Sequence, residues 1–201
     1  MRSFLVIAII TLASSFSLNA QEHTPRPPAS TPTPTPRAPS LPGASNPTTE
    51  DSSGWVRFTS ERGRFSVLMP ELPSTETPTT TQSEHGPYTT HLFISRVPKS
   101  VFLIGWVDYD PTFNFNRQQE LEANRDNFVK GVKATLMDSR GLTIDGYPAI
   151  EFIAETADRR FKSRVYMVGR RPYQIVVASL KTEDDSVSVN RFFNSFKVGP
   201  K

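Results

Sequence analysis

Three side chains in this 201-residue sequence could carry protons in a reaction: His91, Asp108 and Asp110. Asp108-Tyr109-Asp110 sets two carboxylates two residues apart, hence on one face of a strand, the arrangement an acid/base pair needs. The plainer reading is the end of a buried strand running into a turn, because Asp110-Pro111 is an ordinary turn opener. Glu84, His85 and His91, around Gly86-Pro87, offer oxygen and nitrogen donors that a divalent ion could use, with Asp108 or Asp110 approaching from the next strand. Two histidines six residues apart fit no standard zinc spacing. A solvated turn is the expectation there, with no metal and no other cofactor. The chain has no cysteine, which removes disulfides, thiolate catalysis, thiolate-zinc sites and a lipid-modified cysteine together. It also has no G-x-S-x-G elbow, no glycine-rich phosphate loop and no H-E-x-x-H. A noncatalytic protein is expected; the alternatives are an envelope enzyme of hydrolase type using Asp108, Asp110 and His91, and a structural subunit of a larger complex.

The densest charge is cationic. Arg160, Lys162 and Arg164 recur with period two after Arg159, and Arg170-Arg171 follow in the next turn. On a strand this spacing projects a row of three from one face, able to meet a carboxylate, a phosphate or an anionic glycan. The preceding strand carries Glu151 and Glu155 in the register that sets Glu155 across from Arg160 and Glu151 across from Arg164. Those pairs would consume the charge. Arg170 and Arg171 have no partner by this count and are the freer part of the patch. A formal charge of +3 over the whole chain suits anionic partners and falls short of a dedicated nucleic-acid binder.

The elements that must position these groups are mostly strands. From Leu142 to Leu180 the apolar and β-favouring runs Ala149 to Thr156, Arg160 to Val168 and Tyr173 to Leu180 are punctuated by Ala157-Asp158-Arg159 and Gly169-Arg170-Arg171-Pro172, which predicts three antiparallel strands in succession. Trp55 to Phe58 and Phe65 to Met69 flank a turn and form a first hairpin. Tyr88 to Val97 alternates loosely. Val101 to Tyr109 and much of Tyr173 to Leu180 are apolar on both faces, so both belong at the centre of a sheet covered above and below. Two helices are available as cover. One spans 115 to 133, with Asn116 and Gln119 as a cap pair and Leu121, Phe128, Val129 and Val132 near one face. The other spans 185 to 196, with Val189, Phe192, Phe193 and Phe196 at i, i+3, i+4, i+7 and Glu183, Asp184 and Asp185 at the positive end of its dipole. Phe113 and Phe115 either rim a cleft between sheet and helix or staple that helix to the sheet.

The Trp55-x-x-Phe58 opening, Gly63 to Pro70, Gly146-Tyr147-Pro148-Ala149-Ile150-Glu151, Arg164 to Gly169 with Tyr173 beyond, and the closing Phe192-Phe193-Asn194-Ser195-Phe196-Lys197 together resemble the PsbP-like superfamily. The resemblance covers Trp55 to Lys197. It implies an antiparallel sheet between helical layers, and adaptor or ligand-binding roles more often than catalysis. Its matching positions are structural, so no site residue is carried over. The fold expected over 54 to 199 is therefore α+β, an antiparallel β-sheet covered by helices on both faces in an α/β/α sandwich.

Residues 1 to 20 read as a secretory signal: Arg2, then the apolar run Phe4 to Ala13, then small residues leading to Ala20. That run is shorter than the roughly 20 residues of an ordinary spanning helix. Leu18 stands where cleavage prefers a small residue, which leaves an uncleaved anchor as the second reading and the one route to a membrane. Residues 21 to 53 hold nine of the eighteen prolines and almost nothing large and apolar, so they cannot offset their own ordering entropy and read as a disordered, semi-stiff spacer. The expectation for the whole is a secreted or periplasmic binding or accessory module. Its partner would be an anionic envelope polymer or an envelope protein, with no nucleic acid.

Overall fold

The computed structural model describes residues 47–50, 54–75, 78–83, 85–114, 116–183 and 185–199. The signal segment, most of the spacer, and Glu84, Phe115 and Asp184 lie outside the described residues. Pro47–Glu50 (β1), inside the span read as spacer, is extended and pairs with the strand that follows it, Val56–Ser60 (β2). Phe65–Met69 (β3) completes the expected hairpin, and the short Lys197–Val198 (β12) closes a four-stranded sheet in the order β1-β2-β3-β12.

The second sheet is larger and antiparallel throughout. Ser74–Thr75 (β4) and Thr79–Thr81 (β5) pair with Tyr88–Val97 (β6), which pairs with Ser100–Tyr109 (β7). Then come Arg171–Leu180 (β11), Arg159–Val168 (β10), Tyr147–Glu155 (β9) and Thr135–Ile144 (β8) at the far edge. The two doubly apolar runs are neighbours at its centre, Ile175 facing Ile104 and Val177 facing Phe102 across the ladder. Eight consecutive residues of β7 and eight of β11 are buried, as strands covered on both sides must be. Between β10 and β11, Gly169 takes φ +63°, a conformation that costs glycine little and lets a tight turn bring the strands back together.

One face packs against Arg117–Gly131 (α1). Its Phe128 ring meets Phe152 and Phe161 edge-on, each at 5.7 Å. Asn116 caps this helix by accepting from the backbone N–H of Gln118 and Gln119 at 2.9 and 3.2 Å. The opposite face packs against Ser186–Ser195 (α2) and against the β2–β3 hairpin. Phe192 meets Phe102 at 5.3 Å and Phe58 meets Phe93 at 4.7 Å. Val189, Phe192, Phe193 and the cap residue Phe196 are buried as their spacing predicts.

The architecture is thus β-rich, and the expected pair of helical layers needs correction: a helix covers one face, while a small sheet and a helix share the other. The hairpin causes this. Val56, Phe58, Ser60, Phe65, Val67 and Met69 are buried at alternate positions, and such a face must be laid on another apolar surface to leave water. Among the described residues, no helix is long and apolar enough to cross a membrane.

Candidate functional site

The register of β9 against β10 decides the fate of the cationic row. Glu155 stands opposite Arg160, Ile153 opposite Lys162 and Glu151 opposite Arg164, the pairing expected from the sequence. Arg164 donates to Glu151 Oε2 from Nε at 2.9 Å and from Nη2 at 2.6 Å, and Arg140 of β8 holds Oε1 at 2.7 Å. Burial alone would raise the Glu151 carboxyl, but the two guanidiniums outweigh it and keep the group below its ordinary range. Glu155 is gripped by Lys181 at 2.7 Å and by Arg160 at 2.8 Å, and these bonds lower it too. The Arg164 guanidinium also lies 4.9 Å from the Phe193 ring centre on α2, a cation–π placement.

Arg170 and Arg171, expected to be the freer cations, are both engaged. Arg170 Nη2 donates to the backbone carbonyls of Asp110 and Phe113 in the loop before α1. Arg171 binds Asp108 Oδ1 at 2.5 Å and the carbonyl of Arg62 at 3.1 Å. Counting partners only along the neighbouring hairpin misses both, because these bonds cross to β7 and to segments distant in sequence.

Of the three acid/base candidates, two meet. His91 Nε2 lies 3.1 Å from Asp108 Oδ2, the indole of Trp106 donates to that same oxygen at 3.2 Å, and the His91 ring stacks on Trp106 at 4.4 Å. Burial pushes the Asp108 carboxyl up, but His91, Arg171 and Trp106 together bring it below the ordinary value. Asp110 does not join them. It lies one residue past the end of β7, and its Oδ1 accepts from the Thr112 amide and hydroxyl at 2.9 and 2.6 Å, which turns the carboxylate into the loop and lowers its pKa. His91 is 3% exposed. The space beside it, also lined by Gly105, Asn124 and Gln174, measures about 10 Å³, room for roughly one water and none for a substrate. His85 packs edge-on against Phe113 at 5.8 Å. Among the described residues, no group of three or more His, Cys, Asp or Glu is placed to hold a metal. Phe113 is buried against Tyr109, centroids 4.5 Å apart, so it staples the loop rather than rimming a cleft.

A buried polar cluster on the α1 face escaped the sequence reading. Tyr109 donates its hydroxyl to Glu120 Oε1, Asn124 Nδ2 donates to the same oxygen at 2.8 Å, and Gln174 Nε2 donates to Ser163 at 3.0 Å. Burial pushes both Glu120 and Tyr109 up. The signal was present: Glu120 and Asn124 precede Phe128 at intervals of four, polar residues in an otherwise apolar stripe.

Room for a ligand lies on the other face, beside α2. A groove of about 460 Å³ is bounded by Ile153, Arg160, Lys162, Ser179, Lys181 and Asn190, among others. A second hollow of about 400 Å³, lined by Trp55, Pro70, Val97, Pro98 and Phe102, flanks the start of the same helix. Both fall in the size range of small-molecule sites.

No model of a known protein family matches the chain, and no curated protein matches it. Among solved structures, the chain is similar to the solution structure of cyanobacterial PsbP (CyanoP) from Synechocystis sp. PCC 6803, at 12% identity and a TM-score of 0.44, covering 71% of this chain and 91% of that one. A likeness at this level decides neither fold nor function.

Proposed function

We propose that this is an exported, noncatalytic binding or accessory module of the cell envelope, with a PsbP-like domain that holds its ligand in the groove beside α2. The groove itself is the observation that carries the reading. At about 460 Å³ it is far larger than the space at His91, and it opens where the cationic row of β10 meets α2. Its walls mix an aliphatic floor, Ile153 and Val177, with hydroxyl, amide, cationic and carboxylate groups, and the two carboxylates, Glu183 and Asp185, are held by Lys99 and Ser100, the composition of a recognition surface. Export rests on the signal-like pattern of residues 1 to 20, and the partner class, an anionic envelope polymer or an envelope protein, rests on the cations at the groove.

The test is co-sedimentation of the purified protein with envelope fractions. Saturable binding that is abolished by Asn190→Trp, a bulky residue on an exposed position at the groove wall, is expected. Binding indifferent to that substitution would contradict the groove. Turnover of an envelope substrate that disappears in His91→Ala and Asp108→Ala would contradict the noncatalytic reading.

A further inference from the structure

The groove contains one cation that the fold does not spend. Arg160 and Lys181 share Glu155, and Arg164 is committed to Glu151. Lys162 sits between them in the row with Ile153 on one side and Val177 on the other, so neither neighbouring strand sets a carboxylate directly across from it. Among the described residues it forms no ion pair; its ammonium lies 5.6 Å from the Phe193 ring centre. It acts through space on the Glu151 carboxylate, whose two oxygens are already taken by Arg164 and Arg140. Ser179, on β11, faces the same groove, and among the described residues its hydroxyl makes no hydrogen bond within the protein. Asn190, on the α2 side, brings to the opposite wall an amide that makes no hydrogen bond among the described residues.

We infer that the groove takes its ligand through a single anionic group of the carboxylate or phosphate class, seated on the Lys162 ammonium with the Ser179 hydroxyl and the Asn190 amide donating to it. This rests on the groove being the binding surface. The row supplies one free charge rather than three, so the site seats a single anionic group of its partner, whether that group stands on a polymer or on a protein, rather than several along a chain.

The experiment is a ¹⁵N-NMR titration of the protein with inorganic phosphate and, separately, with acetate, at an ionic strength held constant with sodium chloride. Saturable shifts at Lys162, Ser179 and Asn190 are expected, weakened about tenfold or more in Lys162→Met, as loss of a charge-assisted bond predicts. Ser179→Ala should weaken them less. Methionine keeps an apolar stem over Phe193, and the spectrum itself reports that the variant is folded. Preference for phosphate or for acetate assigns the class. Shifts that persist undiminished in Lys162→Met, or no groove shift with either anion, overturn the anion assignment. The groove reading then stands or falls separately on the co-sedimentation with Asn190→Trp.

Discussion

Replacing Glu151 by glutamine should unfold this protein far more readily than the matching change two rungs away, Glu155→Gln, although both acids sit opposite an arginine on β10. The difference is burial. The Glu151 side chain is 6% exposed and that of Arg164 14%, whereas Arg160 is 55% and Lys181 38% exposed. Removing the carboxylate leaves Arg164 charged, largely out of water and without its anion, and breaking a buried pair in this way costs about 3 kcal/mol or more. With a urea slope of roughly 2 kcal/mol/M, that lowers the midpoint by about 1.5 M. Around Glu155 the cations are left in solvent, and the midpoint should move by less than half as much. The Glu151 carboxyl is held below its unfolded value, so its contribution is present above that value, near about 4.3, and is lost as pH falls through the lower folded pKa. The gap between wild type and Glu151→Gln should therefore narrow on acidification. Urea curves at neutral and acid pH, with the double variant Glu151→Gln, Arg164→Met to close the cycle, measure this. Equal costs at the two rungs would refute the claim that the row is an internal structural ladder.

Phe193→Ala should cost about 3–5 kcal/mol in the same assay, since the ring is 2% exposed and lies under both Arg164 and Lys162; a loss below 1 kcal/mol would mean that α2 is not docked as described. Glu120 shows the opposite pH behaviour to Glu151. Its folded pKa is raised by burial, so its contribution is fully present below the unfolded value near about 4.3 and is lost as pH rises through the folded pKa; Glu120→Gln should flatten the fall in stability on the alkaline side, and an unchanged pH profile would contradict the buried acid. Gly105→Ala should destabilise the sheet, because a Cβ there would come within 2.8 Å of the His91 carbonyl oxygen; a wild-type melting temperature would show that the strands can give way.

Much of the scaffold was readable because its signals are local. VFLIGWV and YQIVVAS carry apolar residues on both faces, and no other position in an antiparallel sheet buries both. The Phe192-Phe193 helix announced itself by spacing, and the Glu151 and Glu155 pairs by hairpin register. β8 was missed because TLMDSRGLTI alternates poorly, and the structure explains why: it is an edge strand with a register shift near Met137 and little buried on either face. The second sheet was missed because a hairpin's sequence does not say what it will lie on. The same limit applied to the site. Lys162 as one of a row is visible in the sequence, but its isolation follows from Ile153 and Val177 flanking it, and the commitments of Arg170 and Arg171 depend on Arg62, Asp108 and Phe113, which only the fold brings near.

The account turns on Lys162 facing a ligand, and lysine footprinting asks this most directly. The protein is acetylated with and without saturating envelope material, and modification is read at each lysine by mass spectrometry. Protection concentrated at Lys162, with Lys130 and Lys197 labelled equally in both samples, is the predicted result. Equal labelling of Lys162 in both samples, with protection appearing at Lys130 on the α1 side instead, would contradict it.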